Sequence, residues 1–318
     1  MTTPGTGAAA LRARRTIGGD TLYRGALTVI SALVVVLLGL MILDTVADSL
    51  PAWSRFGILD FITGQRWAPS FVVYGALPFI YGTVLTSAIA LLVAVPTALL
   101  VALLITEFLP ARVQTPVGVA VDLIAAVPSV VFGLWGLLVL VPVIRPAEQA
   151  IASTIGQAVP FLGPPTPGPS YFAAGLVVAF MIIPIVAALS REVFAATPRI
   201  QREAVFALGG TRWDVVRTVV LPLARPGMLA AIILGLARAM GETIAVTMVV
   251  GNAPRIGSSI FSPGFTLASV IANEFNEANQ ELHPESLIAL GVVLLVISAL
   301  VNGGAILVRQ RFAVGTAR

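Results

Sequence analysis

Two uncharged stretches limit what this chain can become. Residues 25–43 run for 19 positions without a charge, and residues 67–106 for 40. A helix needs about 20 apolar residues to cross a hydrocarbon layer about 30 Å thick. With 58% hydrophobic and only 11% charged residues overall, the sequence is that of an integral membrane protein.

Taken in order, the chain predicts an all-α fold of six transmembrane helices. A small, polar, basic tail at 1–24 is expected to be disordered and cytoplasmic. The first transmembrane helix occupies 25–45. Its apolar run is long for a signal peptide and no small-residue cleavage site follows, so it reads as an uncleaved span. An external loop with interfacial tryptophans covers 46–76, and a second span lies near 83–106. A short turn and interfacial helix at 107–122 lead to a third span at 123–144, whose first turn Pro128 breaks. A second external loop (145–169) ends in FLGPPTPGP, which excludes helix. The fourth span is 171–189, with Pro184 as a kink. After a polar segment at 191–225 come a fifth span at 227–250, a third external loop at 251–285, and a sixth span at 286–308. A short tail closes the chain at 310–318.

The arginines fix the orientation. All 19 basic residues are arginine. Fourteen fall on the side that holds both termini, four on the other, and Arg238 inside a span, so both termini are expected in the cytoplasm. The basic balance therefore reflects membrane flanks and implies no nucleic acid. Lysine is absent, so the chain cannot carry the Gly-Lys-Ser/Thr loop that binds ATP phosphates, nor a Schiff-base lysine. Cysteine is absent too, which excludes disulfides and thiolate metal sites. No internal repeat is visible, and neither a His-Glu-x-x-His pair nor a Gly-x-Ser-x-Gly turn supports an intramembrane enzyme.

The polar segment is patterned as two short helices. Residues 203–208 make a helical run that Gly209 and Gly210 end. Thr211 caps the next helix with Asp214 three residues on, Val215, Val216, Val219 and Val220 give it an apolar face, and Pro222 is expected to stop it. Glu203-Ala204, Gly209 and Leu221-Pro222, at these spacings, resemble the EAA loop of ABC-importer permeases. Val205 and Val219 replace the motif's second Ala and its Ile. The resemblance implies that this loop (199–222) docks to and couples with an ATPase partner through Glu203, Ala204, Gly209, Leu221 and Pro222.

Arg238 and Glu242 lie deep in the fifth span. Spaced four apart, they are expected to share one helix face and to pair. Charges at that depth are costly, so they mark either a structural lock or an anion path. Arginine suits a tetrahedral oxyanion because its planar fork bonds two oxygens at once. Phosphate keeps a proton for the carboxylate to accept; sulfate does not.

The segments ARAMGETIAVTMVVGN, AVPSVVFGLWGL and IANEFNEA are similar to those of PstC-type phosphate-importer permeases, in the family's order. That resemblance implies a type I permease core at 77–309 and no bond chemistry by this chain. It implies a substrate pathway at Arg238 and Glu242, and a heterodimer with a second, PstA-like permease. Two ATPase subunits carrying ATP-Mg and an external phosphate-binding protein complete the expected machine, with no cofactor or metal on this chain. A permease for molybdate or sulfate and a stand-alone anion channel are the competing readings. The only histidine, His283, reads as a solvated loop residue, Glu274 and Glu277 as either a docking patch or a polar loop, and Gly133 and Gly136 as close-packing positions.

Overall fold

The computed structural model describes residues 17–164 and 168–314. Six helices among them are long and apolar enough to cross a membrane: Thr21–Phe56, Leu77–Phe108, Ser129–Thr154, Tyr171–Ala195, Arg212–Gly241 and His283–Leu307. The first sixteen residues and the last four lie outside the described part, so the expected tails are described only where they adjoin it. There the helices run longer than the sequence suggests. The first, α1 (Ile17–Phe56), takes in the end of the expected tail and the start of the expected loop at 46–76. Its Asp44 and Asp48 do not stop it, because an exposed charged residue costs a helix interior only roughly a few tenths of a kcal/mol.

The chain forms two units, one ending at Ala47 and one from Asp48 onward. The described part of the first is helical, with an apolar surface at Leu33, Val36, Leu37 and Leu40. The second begins with the end of α1 and a short α2 (Ile58–Thr63), then α3 (Leu77–Leu103), α4 (Ala111–Ala125) and α5 (Ser129–Trp135). It continues with α6 (Val141–Thr154), α7 (Tyr171–Ala195), α8 (Arg199–Ala207), α9 (Arg212–Val215) and α10 (Leu221–Gly241). The last elements are α11 (Ile244–Val249), α12 (Leu267–Glu274) and α13 (His283–Val314).

At the centre of this unit α3 packs along α7. Ala90, Ala94, Ala98 and Ala102 recur every fourth residue on α3 and none is exposed. Lipid tails are as apolar as side chains, so small residues that let backbones close up supply the packing instead. Gly175 of α7 sits against Ile89, and a Cβ there would fall 2.6 Å from its Cγ2. Gly133 and Gly136 meet Met248, Ala245, Val177 and Val249 at similarly short range, as close packing requires.

Two sequence boundaries are corrected. Chain turns at Ala126–Pro128 end α4, so the third span starts at Ser129 and reaches Thr154, ten residues into the expected second external loop. Pro222 does not stop a helix: α9 runs through a π-helical turn at Val216–Val220 straight into α10. A proline lacks the N–H that an α-turn would use, and the wider π-turn just before it absorbs the mismatch. The same device at Gly136–Leu140 precedes Pro142.

At the other end of α3, Gly82 lies under the chain entering α12. An added Cβ would sit 2.0 Å from the Phe265 carbonyl oxygen and 2.9 Å from the Tyr171 ring. Thr83 Oγ1, one residue on, accepts the Leu267 N–H at 2.9 Å and holds that chain in place. Gly82→Ala is therefore expected to destabilise the protein by about 1–3 kcal/mol through overpacking against backbone. Thermal unfolding in detergent checks it; an unchanged melting temperature counts against so tight a seam.

Candidate functional site: a charged break and an exposed hairpin

The fifth span ends where its charges lie: it runs from Arg212 to Gly241 rather than over the expected 227–250, so Arg238 falls in its last turn and Glu242 just beyond it, not deep within the span. Helix α10 ends at Gly241, Glu242 turns to φ −69°, ψ 125°, and α11 restarts at Ile244. The four-residue spacing of Arg238 and Glu242 therefore does not put both on one regular helix face. Glu242 leaves the helix to cap the next one, its Oε1 accepting the Ala245 N–H at 3.4 Å. Arg238 Nη2 stands 3.9 Å from Glu242 Oε2, an ion pair beyond hydrogen-bond range.

The two side chains differ in exposure. Glu242 is buried at 8%, whereas the Arg238 side chain is 45% exposed, on a surface shared with Leu234, Gly241 and Ile244. A lock between helices would have both groups enclosed and hydrogen-bonded. Here a guanidinium with most of its donors unused faces out of the chain in the last turn of α10, backed by a buried carboxylate. That arrangement can hold an anion bearing a proton.

The polar segment folds as a helical hairpin. At its bend the Gly209 N–H donates to Phe206 O and the Gly210 N–H to Val205 O, both at 2.9 Å, with Gly209 at φ +82°. These are the paired bonds of a glycine-terminated helix end. Thr211 and Asp214 then form the expected reciprocal cap: the Thr211 N–H donates to Asp214 Oδ2 at 2.8 Å and the Asp214 N–H to Thr211 Oγ1 at 3.3 Å. One side of the hairpin is buried through Val215, Val216 and Val220 against Ala102, Leu103 and Phe194, with Leu221 alongside.

The other side carries Glu203 and Ala204 exposed, among Ile200, Phe206, Leu208 and Trp213. Leu208 is 89% exposed. Exposed large apolar side chains close together in the chain suit a contact with another protein or with lipid. The sequence reading missed these four, although their clash with the hairpin's polar composition was a usable signal. It also missed Glu107, which reaches Arg202 of the hairpin at 3.0 Å. Leu221 and Pro222 lie apart from the exposed face, at the junction with α10.

Residues 20–314 match the family model for binding-protein-dependent transport system inner membrane components. The chain belongs to that family. The permease is therefore a multi-pass membrane component and not a catalytic subunit. Among its relatives, the phosphate transport system permease protein PstC of Mesorhizobium japonicum is 40% identical, with 89% of this chain and 87% of that protein covered. PstC of Haemophilus influenzae is 38% identical over 89% of this chain and 90% of its own length. PstC 2 of Mycobacterium tuberculosis is also 38% identical, over 90% of each. A chain of a bacterial alginate ABC transporter solved with its pentasaccharide-bound periplasmic protein matches with a TM-score of 0.60 at 15% identity, covering 90% of this chain and 94% of that one. That likeness fixes the type I importer permease fold.

His283 departs from the solvated residue expected. It is 4% exposed, its Nε2 lies 3.0 Å from Glu274 Oε2, and its ring stacks on Tyr74 at 5.7 Å. Trp67 Nε1 donates to the same Glu274 oxygen at 2.9 Å. Glu274 is thus an internal acceptor, not a free docking charge. Burial and the neighbouring Glu274, Glu285 and Glu281 push the Tyr74 phenol up to about 12, so it remains the donor to the Glu281 carbonyl at 3.0 Å.

Proposed function

We propose that this permease is the PstC-type subunit of an ATP-driven phosphate importer. The observation that carries the reading is its 38–40% identity, over about nine tenths of each chain, to phosphate transport permeases of three organisms. The charged break fits that cargo. Arg238 offers a two-pronged donor set to phosphate oxygens, and Glu242 accepts the proton that phosphate keeps near neutral pH. Sulfate or molybdate would meet that carboxylate as a repelling charge.

The half-exposed Arg238 surface supports a path shared with a second, PstA-like permease. The exposed hairpin supports docking of the partner ATPases, which carry ATP-Mg; an external phosphate-binding protein delivers the cargo. ATP closes the ATPases, and Glu203, Ala204 and Gly209 pass that closure to the spans, which rock between outward- and inward-open states. Phosphate-loaded binding protein is expected to stimulate ATP hydrolysis by the complete complex in nanodiscs, and sulfate or molybdate to leave it unchanged. Stimulation by sulfate or molybdate but not phosphate would assign another oxyanion.

Both termini and the hairpin lie on the cytoplasmic side in this reading. A reporter active only outside the membrane is expected to stay silent when fused after Arg311, and activity there would invert the topology.

A further inference from the structure

The hairpin is joined to the core by two arginines that the EAA pattern does not contain. Arg202 of α8 donates through Nη2 to the Phe194 carbonyl at 2.6 Å, and the same nitrogen lies 3.0 Å from Glu107 Oε1. Arg212 of α9 donates through Nη1 to the carbonyls of Glu107 and Phe108, at 3.3 and 3.4 Å. Phe194 belongs to the last turn of α7. Glu107 and Phe108 belong to the π-helical turn, Leu104–Phe108, that ends the α3 span.

Carbonyls in the last turn of a helix have no partner within it and carry the negative end of its dipole. The two spans that form the central seam therefore both have terminal carbonyls that accept from guanidinium groups of the hairpin, Phe194 O doing so in addition to the Thr197 N–H. Glu107 adds a side-chain ion pair, a contact of charge and not of hydrogen bonding, since its Oε1 has no hydrogen-bond partner among the described residues. Its side chain is 8% exposed, and that of its partner Arg202 is 21% exposed. An enclosed ion pair adds little net stability, because desolvation offsets attraction; what it fixes is one orientation, since separating the charges is costly. The π-turn that carries Glu107 is itself a local departure from regular helix, of the kind found at working positions.

We infer that Glu107 is a positioning residue for coupling: with Arg202 it makes the hairpin, α3 and α7 move as one body. This rests on the hairpin being the ATPase contact. If that joint loosens, the hairpin still docks, because the exposed face of Glu203, Phe206, Leu208 and Trp213 is untouched. Its displacement is then absorbed before it reaches the seam.

The test compares Glu107→Gln with wild type in the complete complex, reconstituted in proteoliposomes with the binding protein. Co-purified ATPase, ATP hydrolysis and labelled phosphate uptake are measured together. The expected result is normal ATPase retention, hydrolysis within about twofold of wild type, and uptake per ATP lowered about tenfold. The charge exchange, Glu107→Arg with Arg202→Glu, is expected to recover part of that ratio. Arg202→Lys, which keeps the charge but loses the planar fork, is the second variant should Glu107→Gln not assemble, and should give an intermediate ratio. A wild-type ratio in Glu107→Gln or in Arg202→Lys overturns the inference, as does a proportional fall of hydrolysis and uptake. A wild-type complex that holds its ATPases but takes up no phosphate overturns the transport reading along with it.

Discussion

Replacing Arg238 and Glu242 together by glutamine is expected to abolish phosphate uptake in a complex that assembles normally. Glutamine keeps the capping oxygen that Glu242 offers to the Ala245 N–H, so the restart of α11 should survive. No unpaired charge is left at the break, so a purely structural pair would make this double change mild. The geometry already argues against a tight lock, at 3.9 Å with Arg238 45% exposed. Hydrogen bonds to a charged group contribute about 1.5–3 kcal/mol each. Losing even one from the travelling anion lowers its occupancy about ten- to a hundredfold. Arg238→Lys keeps the charge without the fork and should fall between. Wild-type uptake by the double variant would assign the pair to structure and move the anion path elsewhere.

Gly209→Val is expected to uncouple transport from ATP hydrolysis while leaving the chain inserted. Nothing lies within 4 Å of the position a Cβ would take, so crowding is not the reason. The reason is φ +82°. A left-handed residue costs about 1–2 kcal/mol for ordinary side chains, and a β-branched one resists it more. The hairpin would relieve that strain by opening its bend, turning Glu203 and Leu208 away from their partner. The order of effect should be Val worst, Ala intermediate and Asn mildest, since asparagine tolerates this conformation. Equal uptake per ATP across the series would remove the bend from the coupling path. Glu203→Ala should give a related loss with the bend intact.

Much of this was legible in advance, for identifiable reasons. Spans and their number follow from runs without charge, because each charge in lipid is expensive. The hairpin followed from local signals that act within a few residues: the Gly209-Gly210 stop and the Thr211–Asp214 cap, both found as read. Helix lengths did not follow. Helical structure continues beyond the apolar run, to Phe56 and Thr154, because it needs no lipid once its polar groups find water or protein. Pro222 misled because a proline inside a helix usually ends it, whereas here a π-turn before it absorbs the missing donor. His283 misled because a residue among acidic neighbours in sequence lies, in space, against Tyr74 and Trp67. Glu107 was visible as the first charge after the long uncharged run, but its partner Arg202 is 95 residues away and nothing local links them. The alanine stripe at 90, 94, 98 and 102 was in plain sight at a four-residue period, and it marks the seam between α3 and α7.

The most direct test of the transport reading is labelled phosphate uptake into proteoliposomes holding this permease with its second permease, ATPases and binding protein. Uptake is expected to require both ATP and the binding protein, and to withstand a large excess of sulfate or molybdate. Uptake that proceeds without ATP, or through the purified chain alone, would contradict it and make the chain a channel.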